Sequence, residues 1–197
     1  MDTGLSVASH HLGFGVMSSS AIIIPLKSFA QAKSRLRVEG LDAERIAQEL
    51  AQGVIEAAAP LPRFVVSEDP AVLGFAEKLG ANSIPVAVVG LNESVALAYQ
   101  ALGTQFDRVI VVHGDLFFPA GINELGDEDD ALLVTDHHGT GTNILALPTG
   151  LDFEFAYGPD SRAAHCAEVQ RHGLSLREIV AGPWTFDVDE PSDFFRP

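Results

Sequence analysis

Arg108-Val109-Ile110-Val111-Val112-His113, followed at once by Gly114-Asp115-Leu116, is the stretch that decides the fold. Its centre is apolar without alternation, so it reads as a strand covered on both faces, as strands of parallel sheets are. Such a strand needs helices above and below it. The flanking sequence supplies them. Upstream, Ala21–Pro25 is a second buried strand, and Asp42–Ala59 is a helix with Asp42 as N-cap and Ile46, Leu50, Val54 and Ala57/Ala58 along one face. Phe64–Ser67 is a strand, and Asp69–Leu79 is a helix with Asp69 as cap, Pro70 in its first turn and Gly80 past its end. Pro85–Val89 reads as another strand, and Asn92–Leu102 as a helix capped by Asn92 or Ser94.

Downstream come strands at Ala131–Thr135 and Asn143–Leu147, a helix over Ser161–Gly173, a strand at Trp184–Val188 and a closing turn or helix at Pro191–Phe195. Strands alternating with helices from residue 21 to residue 102 predict right-handed βαβ units and a largely parallel sheet. The expected architecture is α/β, a three-layer sandwich. One domain over 21–197 is expected, preceded by a disordered tail over 1–20 that contains the pair His10–His11.

The 197 residues are 47% hydrophobic and 20% charged, a globular composition, and their formal net charge is -15. So acidic a chain repels a nucleic-acid backbone, and polynucleotide binding is not expected. No apolar run approaches the ~20 residues of a membrane span, so no membrane partner is expected. The single cysteine, Cys166, suits a reducing compartment, and the chain is expected to be cytoplasmic. The sequence is compatible with a homodimer and does not decide it.

Ligands of open α/β sheets bind beyond the carboxyl ends of the strands. After the first strand come Lys27, Lys33, Arg35 and Arg37, with no Asp or Glu from residue 3 to residue 38. Four of the chain's 12 Lys and Arg residues therefore sit in one short segment. That segment reads as a phosphate cradle, or as a patch balancing the acidic remainder. It is not a Walker loop, because the glycines are missing.

Asp115 ends a fully apolar strand, where a carboxylate needs a partner such as a divalent cation, or else serves as a cap. Asp187 and Asp189 are two residues apart, so on a strand both point to one side and repel unless a cation lies between them. An exposed strand end would look the same. In Asp136–Asn143 (DHHGTGTN) two glycines permit close backbone approach and Thr140 and Thr142 offer hydroxyls, although a hairpin turn would too. Tyr157-Gly158-Pro159-Asp160-Ser161 opens a helix whose first amides and Ser161 hydroxyl suit a carboxylate or phosphate. His165, one turn on, faces either that pocket or the surface.

Together these motifs resemble the 2-phospho-L-lactate or phosphoenolpyruvate guanylyltransferase family of coenzyme F(420) biosynthesis. The likeness is carried by Ile23–Leu36 (IIPLKSFAQAKSRL), Val65–Val72 (VVSEDPAV), Gly90–Asn92 (GLN), Gly114–Leu116 (GDL), Gly139–Asn143 (GTGTN), Tyr157–His165 (YGPDSRAAH) and Asp187–Phe194 (DVDEPSDF). The resemblance implies a compact nucleotide-diphospho-sugar transferase-like fold. It implies Mg²⁺ held by Asp115, Asp187 and Asp189, and the phosphorylated acid held by Thr142, Gly158 and Ser161. Lys27, Lys33 and Arg35 would act along the GTP phosphates, and Ser67, Asp69 and Asn92 would serve the nucleotide.

The implied reaction joins GTP to phosphoenolpyruvate with release of pyrophosphate, giving enolpyruvoyl-2-diphospho-5'-guanosine. 2-Phospho-L-lactate and 3-phospho-D-glycerate remain alternative acids. A catalytically silent nucleotide-binding partner is the alternative from another class. Two features depart from the family's habit. Gly114-Asp115-Leu116 continues into Phe117-Phe118-Pro119 rather than directly into proline, and the Val65–Leu91 stretch is short.

Overall fold

The computed structural model describes residues 19–33, 36, 40–87, 90–125 and 130–195, the last two by their backbone alone. The predicted tail therefore lies outside the described residues up to residue 18. Its final two residues belong to the fold: Ser20 begins the first strand, and the Ser19 backbone N–H donates to the Asp107 carboxylate at 3.0 Å.

The described residues form a seven-stranded sheet of order β3-β2-β1-β4-β6-β5-β7. The strands are β1 (Ser20–Pro25), β2 (Arg63–Ser67), β3 (Asn82–Pro85), β4 (Arg108–Val112), β5 (Ala131–Thr135), β6 (Thr142–Pro148) and β7 (Leu176–Ile179). Only β6 runs against its neighbours, pairing antiparallel with β4 and β5, while the other pairings are parallel.

Alternate residues of the central strands feed two cores. Ile22, Ile24, Ile110, Val112, Ile144 and Ala146 face α1 (Ala43–Ala57) and α2 (Pro70–Lys78). Ala21, Ile23, Val109, Val111, Leu145 and Leu147 face α3 (Leu91–Leu102) and α4 (Ser161–Arg171). Two helical layers around one sheet make the expected three-layer sandwich. Ile22, Ile23, Ile24 and Ile110 have no exposed surface, and burying each contributes on the order of 2 kcal/mol of transfer free energy.

Helix ends follow local chemistry where the chain supplies it. The Asp42 carboxylate accepts from Arg45 N at 3.2 Å, and that of Asp69 accepts from Ala71 N at 2.8 Å. Helix α3 departs from expectation. It starts from Gly90 with φ 156° and has no side-chain cap, because the Asn92 side chain bonds elsewhere.

Two strand expectations are corrected, and one strand was not expected. β3 lies over Asn82–Pro85 and shares only Pro85 with the expected Pro85–Val89; the Val86 N–H still donates to Ser67 O at 3.1 Å, and residues 88 and 89 lie outside the described residues. β7, Leu176-Arg177-Glu178-Ile179, had no apolar signature: it is a half-exposed edge strand recruited by its pairing with β5. Trp184–Val188 is not a strand. Pro183–Thr185 forms a 3-10 turn, and a single antiparallel bridge joins Asp187 to Leu116. No described helix is long and apolar enough to cross a membrane.

Candidate active site

The strand order reverses between β1 and β4, and the segments leaving their carboxyl ends line one opening there. The opening is a cleft of about 660 Å³. Lys27 and Lys33 line it from the segment after β1, and His113, Gly114 and Asp115 from that after β4. Thr142, Asn143, Gly158 and Ser161 form another wall, and Asp187 and Asp189 close the rim. At Gly114 an added Cβ would meet the end of the Leu26 side chain, which would have to turn aside.

Asp115 and the pair Asp187 and Asp189, distant from it in sequence, come together here. Two backbone hydrogen bonds zip the segments together: Phe117 N to Phe186 O at 2.8 Å and Val188 N to Asp115 O at 3.2 Å. Val188 is fully buried against Leu36 and Ala43, while its neighbours Asp187 and Asp189 line the cleft. The strand-like alternation thus holds locally although the strand itself is absent. The Asp193 carboxylate accepts from Asp189 N at 2.8 Å and Glu190 N at 2.7 Å, fixing the end of this loop.

The Lys33 ammonium lies among these acids, donating to Asp115 at 2.5 Å and to Asp189 at 3.0 Å. Lys33 has φ 52°, a left-handed backbone uncommon for a non-glycine residue. Burial works against its charge, but Asp115 and Asp189 outweigh it and raise its pKa above the usual lysine value. For Asp115, burial pushes upward and Lys33, with help from His113, pulls further downward, leaving its pKa lowered. Asp187 is raised, first by burial and then by repulsion from Asp115 and Asp189. It holds Asn143 Nδ2 and His137 Nδ1 only at 3.4 Å each.

This arrangement fits a divalent cation. Asp115 Oδ1 is buried with no hydrogen-bond partner, and Asp187 is destabilised by its acidic neighbours. Among the described residues no three His, Cys, Asp or Glu side chains are grouped to hold a metal ion, and the Lys33 ammonium takes the position between Asp115 and Asp189. Lys27 is exposed on the cleft wall, whereas Arg35 lies outside the described residues.

The wall that carries Thr142 and Ser161 is a buried polar network. Ser161 Oγ bonds Thr142 Oγ1 at 3.3 Å, and Thr142 Oγ1 lies 3.0 Å from His165 Nδ1. Gly158 has φ 135°, accessible to glycine and strained for other residues, and it carries the backbone past the cleft at this corner. The preceding Tyr157 is gripped from α3: Tyr157 N donates to Asn92 Oδ1 at 2.6 Å, and Asn92 Nδ2 donates to Tyr157 O at 3.2 Å.

Three predicted nucleotide residues are not brought to the cleft wall. Asn92 makes the clamp just described, and Asp69 caps α2. Ser67 is buried and accepts from Asp69 N at 3.2 Å. Their neighbours Val66, Glu68, Gly90, Leu91 and Ser94 line the cleft instead. The two segments thus reach the cleft, with residues other than the expected ones facing inward. Sequence reading missed Asn143, which donates to Trp184 O at 3.1 Å, and Asp193. Both stand inside quoted motifs, but only the folded geometry shows what they hold.

The cleft lies at the switch point of an α/β sheet, where open sheets of this kind take their ligands, and it is lined by Asp115, Asp187 and Asp189 and by the Thr142 and Ser161 hydroxyls. The fold agrees with that of a nucleotide-diphospho-sugar transferase from Desulfovibrio desulfuricans at TM-score 0.65 and 19% identity, covering 83% of this chain and 80% of that one. It is also shared with glucosyl-3-phosphoglycerate synthase from Mycobacterium tuberculosis, solved with Mn²⁺ and uridine diphosphate, at TM-score 0.57 and 14% identity, covering 82% and 69%. A phosphoenolpyruvate guanylyltransferase of Sphaerobacter thermophilus is 33% identical over 188 residues, spanning 87% of this chain and 88% of that protein. The chain belongs to the guanylyl transferase CofC-like family, whose model matches residues 20–196.

Proposed function

We propose that this protein transfers the guanylyl group of GTP to the phosphate of phosphoenolpyruvate, releasing pyrophosphate and forming enolpyruvoyl-2-diphospho-5'-guanosine, a step of coenzyme F(420) biosynthesis. The observation that carries the reading is the convergence of Asp115, Asp187, Asp189 and Lys33 at the β1/β4 opening, facing the Thr142–Ser161 wall. Family membership and the naming of the Sphaerobacter relative support guanine as the base and phosphoenolpyruvate as the acid.

In this reading an oxygen of the acid's phosphate attacks the α-phosphorus of GTP, a new P–O bond forms, and the bond to the β-phosphate oxygen breaks. The attacking phosphate is already ionised near pH 7, so the protein needs no general base. Its work is positioning and charge neutralisation. Asp115, Asp187 and Asp189 would hold Mg²⁺, which when bound neutralises phosphate charge. Lys33 and Lys27, both on the cleft wall, are assigned to the phosphate oxygens, and Arg35 is assigned to the same task by family resemblance alone.

Thr142, Ser161 and the backbone at Gly158 are assigned to the acid. The base is assigned to the wall formed by Val66, Glu68, Gly90 and Ser94, where Glu68 supplies acceptors suited to the ring N–H and amino group of guanine. A cytoplasmic setting belongs to this reading, since both substrates are cytoplasmic metabolites.

Pyrophosphate release by the purified chain, with phosphoenolpyruvate, 2-phospho-L-lactate and 3-phospho-D-glycerate each crossed with GTP, CTP and ATP, tests it directly. GTP with phosphoenolpyruvate should give the highest kcat/KM. No release with any pair would leave the silent-partner alternative.

A further inference from the structure

His165 is fully buried on α4, one turn beyond Ser161, and the reaction described above gives it no task. Its two ring nitrogens have different partners. The backbone N–H of Ala156 donates to Nε2 at 3.0 Å. A backbone N–H can only donate, so Nε2 is the nitrogen with the free lone pair. Burial, reinforced by His113 and opposed by Glu168, pushes the ring's pKa down to about 4, so it is neutral at working pH. The hydrogen-bond network therefore assigns the single ring proton to Nδ1. Nδ1 lies 3.0 Å from Thr142 Oγ1, and His165 donates there.

The consequence is a matter of counting protons. Thr142 and Ser161 are joined at 3.3 Å and together own two hydroxyl protons. One is used between them. Because His165 donates into the pair, the other has no acceptor within it and is left for whatever occupies the cleft. With the opposite tautomer, the Thr142 proton would go to the ring and the Ser161 proton to Thr142. The pair would then offer the cleft lone pairs alone, which repel a carboxylate or phosphate.

We infer that His165 is a positioning residue: locked as a donor by the Ala156 amide, it makes the Thr142–Ser161 pair present a hydroxyl donor to the acceptor-only anionic group of the acid substrate. This rests on the proposed placement of that acid against Thr142, Gly158 and Ser161. Substrate preference then depends on a backbone amide two links removed from the ligand.

The test measures KM for phosphoenolpyruvate and for GTP, together with melting temperature, in wild type, Thr142→Val, His165→Ala, His165→Asn, His165→Gln and the Thr142→Val/His165→Ala double variant. Thr142→Val and His165→Ala should each raise the acid KM roughly tenfold and leave the GTP KM in place. His165→Asn, whose amide nitrogen falls near the Nδ1 position, should recover most of that loss, and His165→Gln, which reaches the Nε2 position, should not. Both lose the ring's packing, so a change in stability cannot mimic the difference, and this pair carries the test should His165→Ala fail to fold. The double variant should resemble Thr142→Val alone. Equal impairment of the Asn and Gln variants, or effects that multiply in the double variant, would overturn the relay while leaving the acid's placement intact. An unchanged acid KM in Thr142→Val would instead overturn the placement, and the relay with it.

Discussion

Lys33→Met separates the carboxylate pairing seen in the structure from the phosphate contact of the proposed function. Lys33 balances charge in the protein alone, and in the proposed function it also meets phosphate during the reaction. Its contacts at 2.5 Å and 3.0 Å would each be worth on the order of 5 kcal/mol at an effective dielectric near 20, before solvation is counted. Most of that is offset. The lysine side chain is only 8% exposed and has lost its hydration, and Asp189 is 54% exposed, so water screens that pair. Methionine keeps the stem's volume but leaves Asp115 and Asp189 without their cation and nearer in effect to Asp187. The net loss should be about 2 kcal/mol in metal-free buffer, or a melting temperature lower by roughly 4–8 °C for a domain of this size.

Magnesium should then act unequally on the two proteins. In the wild type the ion competes with Lys33 for the same carboxylates. In the variant it does not, so it should bind more tightly and stabilise more, by about 2.7 kcal/mol when present at a hundred times its dissociation constant. Turnover should nevertheless stay low at saturating metal, because the phosphate contact is gone. Differential scanning fluorimetry across a Mg²⁺ titration, with chelator as the zero point, reads both effects. A variant as stable as wild type without metal, or one stabilised no more than wild type by Mg²⁺, would refute the reasoning.

Other expectations follow from the same geometry. Asp115→Asn should lower kcat by roughly a hundredfold or more with the fold retained, measured by pyrophosphate release and circular dichroism. Asn92→Ala removes both hydrogen bonds that grip the Tyr157 backbone; it should cost about 1–3 kcal/mol in urea unfolding and raise the acid KM, because Gly158 follows directly. His165 adds an acid limb to stability: its folded pKa of about 4 lies below the unfolded value of 6.5, so the unfolded chain takes up the proton first. Stability should fall as pH drops from about 6.5 toward 4, by up to about 3 kcal/mol, and His165→Asn should flatten that slope in denaturant titrations. Ile110→Ala, in the middle of β4, should cost about 2–5 kcal/mol without changing either KM relative to wild type, since it touches only the core.

The layered architecture was legible wherever burial is two-sided. β1, β4 and β5 are continuous apolar runs because helices cover both faces, and nothing else explains such runs in a chain with a net charge of -15. Asp42 and Asp69 announced their helices because capping is a local hydrogen bond. β3 and β7 were misplaced or missed because edge strands are held by one neighbour's backbone, which leaves little mark on side chains. Trp184–Val188 looked like a strand because Val188 is buried between two acids. The burial is real, but it is supplied by Leu36 and Ala43 rather than by a ladder.

For the site, residue types and order fixed the ingredients: three aspartates, an island of lysines and arginines, and a threonine and serine in glycine-bearing turns. Residue chemistry is local, so sequence could name it. Which of these groups face one another depended on contacts between segments tens of residues apart. Only the fold set Lys33 between Asp115 and Asp189, turned Asn92 and Asp69 to structural duties, and placed the Ala156 amide where it fixes the proton on His165. A hydrogen bond acts over about 3 Å, and no pattern along the chain specifies which distant atoms will come that close.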